Sequence, residues 1–420
     1  MIEHIRQELG HPAVFLKTFV KWLACSLIVG ALGGLIGTAF HHAVSFASGA
    51  FRTHSWLLYL LPAAGLLISG AYHLFDMDRD PGTNLVILSI RAKEKMRLIT
   101  APLIFAGTVL THLCGGSSGR EGAALQIGGS IGTGIGTLFH FDEKDMHTMT
   151  MCGMAALFSA LFGTPVTAAV FSLEVISVGV LYYSAFLPCM IAALTACKIA
   201  GWLGVEPTSF VLSFVPSIGT KVLLKVLVLG LAIALCSILF VRTMHAAHKL
   251  YDRFFPNSFV RIAAGGALVV LLTLLVGSRD YNGAGMDLIV RALNGSARPW
   301  DFALKILFTA LTLGCGYKGG EIVPTFFIGS TLGCVLGQVL GLDPGFAAAL
   351  GLVSLFCGVV NCPMASILLA MELFGSDGLP LFAAAIAVSY IMSGYYSLYS
   401  GQKIIYSKTA AEYIGRDAEQ

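Results

Sequence analysis

Apolar blocks follow one another along this chain almost without pause. They lie near 20–50, 55–75, 98–114, 121–140, 148–180, 184–204, 219–241, 258–277, 302–316, 322–341, 346–374 and 379–396. A water-soluble fold cannot hide that much apolar surface. Only 12% of the 420 residues are Asp, Glu, Lys or Arg, about half of the ~25% that a soluble domain uses, and mean hydropathy is +0.81. The pattern dictates a polytopic membrane protein with little mass outside the lipid bilayer. It excludes a cytosolic enzyme, a nucleic-acid binder and a disordered scaffold. A net charge of +3 is too small to argue for an anionic macromolecular partner.

No alternation of a β-barrel is visible, so the expected class is all-α. Several blocks are shorter than the ~20 residues a spanning helix needs. Others are cut by Gly or Pro, as at Gly163–Pro165 and Asn361–Pro363. The expectation is a bundle of tilted, short and broken helices. Broken backbone at membrane depth survives only inside protein or along a cavity, so the breaks point to a transport path. The N-terminus does not read as a cleavable signal, because Glu3, His4, Arg6 and Glu8 precede the first apolar run, Trp22 to Phe40. Basic residues cluster at Arg91, Lys93, Lys95 and Arg97, at Arg242, Lys249, Arg253 and Arg261, and at Lys403, Lys408 and Arg416. With Arg6, Lys17 and Lys21 they place both termini in the cytoplasm of an inner (plasma) membrane protein. The 10 cysteines include no CxxC pair and no zinc-like cluster, so they read as small buried apolar residues and no metal is expected.

The halves resemble each other at three landmarks. Gly82-Thr83-Asn84-Leu85-Val86 corresponds to Gly285-Met286-Asp287-Leu288-Ile289, 203 residues later. Gly119-Arg120-Glu121 corresponds to Gly319-Gly320-Glu321, 200 later, and Pro165 with Glu174 to Pro363 with Glu372, 198 later. Three matches in order at a nearly constant offset imply duplication, with a first repeat over 18–205, a second over 219–400, and a short cytoplasmic tail at 403–420 without a regulatory domain. The whole chain, 1–420, then forms one transport domain.

Matching Gly/Pro-interrupted segments mark the binding site of a transporter. A helix that starts inside the membrane leaves its first N–H groups free and presents its positive dipole end. Glycine lets an anion approach that backbone closely. Glu121 opens such a helix between Gly119-Arg120 and Gly122. Its carboxylate can occupy the site in place of the transported anion; protonated, it is neutral and leaves carrying a proton. One side chain then couples anion and proton movement. The simpler reading makes Glu121 a first-turn cap, but ionisable residues within membrane segments are functional by default.

These motifs resemble the CLC family of chloride channels and anion/proton antiporters. Gly119-Arg120-Glu121-Gly122 matches its GREG motif, Gly319-Gly320-Glu321-Ile322-Val323-Pro324 its second-half GGxxxP motif, and Ser397-Leu398-Tyr399-Ser400-Gly401-Gln402 its late tyrosine motif. The resemblance covers roughly 30–400. It implies a homodimer with one pore per subunit, inverted repeats within each subunit, Glu121 as the gating glutamate and Tyr399 as a central hydroxyl donor. It also implies anion contacts from Thr83, Asn84, Gly119, Arg120, Gly122 and Val323. The departures sharpen this. Chloride-type members carry Gly-Ser-Gly-Ile-Pro where this chain has Gly82-Thr83-Asn84-Leu85-Val86. Ala123 replaces the proline after GREG. Val175 stands where chloride/proton antiporters carry an inner proton glutamate, whereas Glu321 appears inside the second motif. This set resembles the fluoride-exporting branch, whose GGE…P segment is followed by phenylalanines, here Phe326 and Phe327, at least one of which the resemblance makes pore-lining and anion-contacting. The implied activity is fluoride/proton antiport with Glu121 and Glu321 handling protons and no cofactor. The alternative is a chloride channel or chloride/proton antiporter on the same scaffold.

Glu174 and Glu372, on apolar helices, read as hydrogen-bond partners of neighbouring helices. Tyr399 alone would pass for an interfacial aromatic and Thr83 for a turn residue. His41, His42, His73 and His112 are scattered and carry no pattern. An intramembrane hydrolase is disfavoured by the lack of HExxH, GxSxG or paired-Asp signatures, and the paired Gly/Glu motifs argue against a receptor-like or structural protein.

Overall fold

The computed structural model of the protein describes residues 2–78, 80–91 and 96–419, with side chains described from Val14 onward. Lys93 and Lys95 of the first basic cluster, and the side chain of Arg6, lie outside the described residues. The first half contains α1 (Ile2–Thr53), α2 (Leu61–Leu74), α3 (Thr83–Arg91), α4 (Thr100–Leu113), α5 (Glu121–Leu138), α6 (Glu143–Phe162), α7 (Pro165–Glu174) and α8 (Phe186–Trp202). The second contains α9 (Thr220–Phe254), α10 (Ser258–Val276), α11 (Met286–Leu293), α12 (Asp301–Gly314), α13 (Ile322–Leu340), α14 (Pro344–Val360), α15 (Pro363–Phe374) and α16 (Leu379–Met392).

Six helical segments among the described residues are long and apolar enough to cross a membrane, and several others are shorter. At 35 residues, α9 is about 52 Å long and overshoots a ~30 Å hydrocarbon core, so it tilts or protrudes. The two breaks read from the sequence follow one chemistry. Asp142 caps α6 and Asp343 caps α14, accepting from Asp145 N at 2.9 Å and Phe346 N at 2.8 Å. The same helices end on left-handed residues, Gly163 at φ 70° and Asn361 at φ 59°. Pro165 and Pro363 then start α7 and α15, where a missing N–H costs nothing.

Small residues let the central helices touch. A Cβ on Gly132 of α5 would strike the Met149 carbonyl of α6, and one on Gly333 of α13 would strike Ala347 O of α14. Such backbone approach is how apolar helices gain packing energy where lipid competes for every apolar face. α5 against α6, and α13 against α14, form the buried centre.

The tail departs from the all-α expectation. Residues Ser177–Val178 (β1), Lys403–Tyr406 (β2) and Tyr413–Asp417 (β3) form a small sheet in the order β1-β2-β3, parallel then antiparallel. Gln402 anchors it, its Nε2 donating to Val175 O at 3.0 Å and Val360 O at 2.9 Å. The tail thus packs on the ends of α7 and α14. It also meets one basic stretch, where Arg91 pairs with Asp417 at 2.9 Å, and just ahead of it Ser397 O lies 2.9 Å from His245 Nε2.

Candidate functional site

The two glycine motifs meet at the centre of the molecule. Gly119 N donates to Gly320 O at 2.7 Å and Gly320 N to Gly119 O at 2.8 Å, an isolated antiparallel bridge between the halves. The contact tolerates no side chain. A Cβ on Gly320 would run into Gly122 N, and one on Gly122 would lie 2.9 Å from Gly320 Cα. α5 and α13 both start from this crossing, so the unpaired N–H groups of two helices converge there.

Glu121, the first residue of α5, is buried at 1% exposure. Its Oε2 accepts from Arg120 N at 2.9 Å, and its Oε1 lies 3.5 Å from Arg120 Nε yet has no hydrogen-bond partner. It sits at the wall of a cavity of about 570 Å³ that also takes in Arg52, Arg120, Arg279, Asp287 and Val323. The Arg120 guanidinium additionally reaches His41 Nδ1 at 3.1 Å and Leu161 O at 3.4 Å. The carboxylate is thus held by the Arg120 cation and by a backbone N–H on Oε2, while its second oxygen has no hydrogen-bond partner.

Glu321 stands directly before α13 on the other side of the crossing, without a side-chain capping bond, and lines a second cavity, of about 810 Å³, with Thr83, Asn84, Gln126, Lys318 and Tyr399. A Cβ placed on Gly122 would lie 2.9 Å from Thr83 Oγ1 and 3.0 Å from Glu321 Oε2, so both groups flank one point on the motif backbone. Gln126 Nε2 donates to Thr83 Oγ1 at 3.4 Å. Tyr399 Oη, Gln126 Oε1 and Glu321 Oε2 are all buried without a partner. Water at the cavity end can satisfy all three, and the Tyr399 hydroxyl can also donate to an incoming anion.

Thus the structure brings Thr83, Glu321 and Tyr399 to one cavity and Glu121, Arg120 and Val323 to the other, with Gly119 and Gly122 in the crossing between. Asn84 lines the second cavity, but its Oδ1 accepts from Gly401 N at 2.9 Å, which fixes the Tyr399 segment against α3. Phe326 and Phe327 stand beside the cavities rather than on their walls. Phe326 packs on Phe162 and Phe356 with ring centroids 5.8 and 5.6 Å away, and Phe327 on Tyr281 at 6.3 Å.

Glu174 and Glu372 exchange roles across the halves. Glu372 accepts from Val166 N at 3.0 Å and Thr167 N at 2.9 Å, at the start of α7. Glu174 accepts from Met364 N at 3.1 Å and Ala365 N at 2.8 Å, at the start of α15. Each short helix is capped by the last turn of the other, as the sequence reading favoured. Sequence reasoning passed over Gln126, Lys305 and Lys318. Lys305 is wholly buried and donates to Ser117 Oγ at 3.0 Å, Tyr281 O at 3.2 Å and Gly283 O at 2.7 Å, tying the approach to Glu121 to the loop before α11. A lone lysine in an apolar block was the signal available. Among the described residues no cluster of His, Cys, Asp or Glu is placed to hold a metal.

A family model described as "Voltage gated chloride channel" matches residues 64–394. The chain is 36% identical over 400 residues to a "Chloride/fluoride channel protein" of Pseudomonas syringae pv. tomato, covering 94% of this chain and 88% of that protein. Among solved structures it is similar to a CLC-type fluoride/proton antiporter, with TM-score 0.88, 36% identity and coverage of 92% of this chain and 98% of that one. A slow cyanobacterial Cl⁻/H⁺ antiporter, 19% identical with TM-score 0.76 and coverage of 89% and 94%, shares the fold.

Proposed function

The chain belongs to the voltage gated chloride channel, or CLC, family, and on that premise we propose that it is a secondary transporter exporting fluoride in exchange for protons. It is a transport protein and not an enzyme. The observation that carries the ion assignment is the likeness, at 36% identity over nearly the whole of both chains, to a fluoride/proton antiporter. The acid inside the second motif, Glu321, and the apolar Val175 support it.

Two cavities end on opposite sides of the Gly119–Gly320 crossing, one at Glu121 and the other at Glu321. That arrangement supports alternating use of one passage. With Glu121 charged, its carboxylate occupies the converging helix starts and blocks the anion. Fluoride arriving beside Thr83 and Tyr399 finds hydroxyl donors free to turn toward it. Protonation of Glu121 removes the charge that Arg120 holds, the side chain withdraws, and fluoride takes its place against the free N–H groups. Return of Glu121 to the site requires loss of the proton, so anion and proton move in opposite directions. Glu321 carries the proton across the remaining stretch, in a chain where no acid stands at position 175.

The second cavity faces the cytoplasm in this reading. Arg261 lines it, and the 242–261 stretch meets on its side the Ser397 segment that leads into the tail, while Arg52, at the end of α1 far from the N-terminus, lines the first. Both termini are then cytoplasmic, the membrane is the inner (plasma) membrane, and the unit is a homodimer with a pore in each subunit. The test is ion release from proteoliposomes loaded with equal fluoride and chloride. Fluoride leaving at least tenfold faster supports the assignment; chloride leaving as fast would sink it in favour of the chloride reading.

A further inference from the structure

Lys318 stands directly before Gly319-Gly320-Glu321, and its only hydrogen-bond acceptor among the described residues is Asp80 Oδ2, at 3.1 Å. The pair spans the two motif loops, since Asp80 lies just ahead of Gly82-Thr83. The lysine stem runs against Gly107, where a Cβ would lie 3.0 Å from Lys318 Cγ, and the ammonium sits 3.9 Å from the Tyr72 ring centroid. Its direction is therefore fixed. The Asp80 side chain is 1% exposed and that of Lys318 16%. Asp80 Oδ1 and Tyr72 Oη are buried without partners, and all three residues line the same cavity as Thr83, Glu321 and Tyr399.

We propose that Lys318, tempered by Asp80, is an anion-docking subsite on the Glu321-side cavity, at which a small hard anion halts before it passes to Thr83 and Tyr399. An ammonium carries three donors and Asp80 takes one, which leaves two for an anion that sheds water at the cavity end. A compact ammonium suits a small, strongly hydrated anion better than a diffuse guanidinium does. Alone, a buried cation would hold its guest too tightly for release. With Asp80 on its flank the guest meets a dipole instead of a bare charge, so attraction is shorter in range and the anion moves on. The proposal rests on the fluoride reading for the identity of the guest, but its geometry would serve any small halide.

The alternative is that the ion pair is only a strut between the loops, and the two roles predict different signs. Lys318→Met and Asp80→Asn both break the pair. If Lys318 docks the anion, Lys318→Met raises the KM for fluoride taken from the cytoplasmic side about tenfold with kcat little changed. Asp80→Asn, which leaves the ammonium unopposed, lowers KM and slows turnover by retention. Lys318→Arg is expected to fall between wild type and Lys318→Met. The assay is initial fluoride uptake into inside-out membrane vesicles, which present the cytoplasmic face outward, with thermal unfolding of each purified variant alongside. A rise in KM for both variants, or parallel losses of kcat and stability in both, would overturn the proposal in favour of a strut. If Lys318→Met does not fold, the drop in KM for Asp80→Asn still decides it. A wild-type chain that moves chloride but not fluoride sinks the fluoride reading alone, and the same opposite shifts are then read with chloride.

Discussion

Replacing Glu321 by Gln is expected to separate transport from folding. Glu321 Oε2 is buried and unpartnered. The bonds this residue does make, from Thr325 N at 3.0 Å and Thr325 Oγ1 at 2.8 Å, use its backbone carbonyl and survive the change. The amide has nearly the same volume and adds donors facing Thr83 Oγ1 and the cavity. The change in folding free energy should therefore stay below about 1 kcal/mol. Transport should not survive, because an amide cannot take up and release a proton. A hundredfold fall in coupled exchange, equivalent to about 2.7 kcal/mol on the barrier, is the expected minimum. Glu321→Ala is the contrast: it strips the side-chain stem from the cavity wall and should lose about 1 to 2 kcal/mol of stability as well. The assay pairs fluoride efflux and an internal pH dye in proteoliposomes with thermal unfolding of the purified protein. Exchange at the wild-type rate in Glu321→Gln would refute the reasoning and leave water alone to carry protons to Glu121. Parallel loss of stability and exchange would make Glu321 a packing residue.

Gly320→Ala drives a Cβ into Gly122 N and breaks the bridge between the halves; about 2 to 4 kcal/mol of destabilisation is expected, read as a lowered unfolding midpoint in detergent. Glu372→Ala leaves Val166 N and Thr167 N without their acceptor, which should cost about 3 kcal/mol; Glu372→Gln, retaining one acceptor, should recover part of it in the same melt. Thr83→Ser keeps the hydroxyl that Gln126 meets, so the ratio of fluoride to chloride release should hold; a switch to chloride would show that the methyl group sets selectivity through shape.

Much of this was legible because membrane physics leaves few choices. Scarce charge and block lengths gave the bilayer and the helical class, and Gly163–Pro165 and Asn361–Pro363 announced their breaks through φ preferences alone. Glu121 and Glu321 stood out because acids in apolar blocks are rare. The Glu174–Glu372 exchange was half visible: spacing placed each acid at a helix end, but only the structure pairs it with the opposite half. What stayed hidden has one cause. A helix apolar all round carries no stripe that says which face meets protein, lipid or cavity, so Phe326 and Phe327 gave no sign that they pack beside the cavities. Gln126, Lys305 and Lys318 were single polar residues whose partners, Thr83, Ser117 and Asp80, lie far away in sequence. The tail sheet was missed because β1 is only 2 residues long, too short for any alternation to register.

The most direct test of coupled exchange through Glu121 is the internal pH of proteoliposomes loaded with fluoride and diluted into fluoride-free buffer at equal pH, with voltage clamped by potassium and valinomycin. Exchange moves protons inward as fluoride leaves, so the interior of wild-type vesicles should acidify, and Glu121→Gln vesicles should show no such change. Fluoride that leaves wild-type vesicles without internal acidification, or acidification that persists undiminished in Glu121→Gln, would contradict the account.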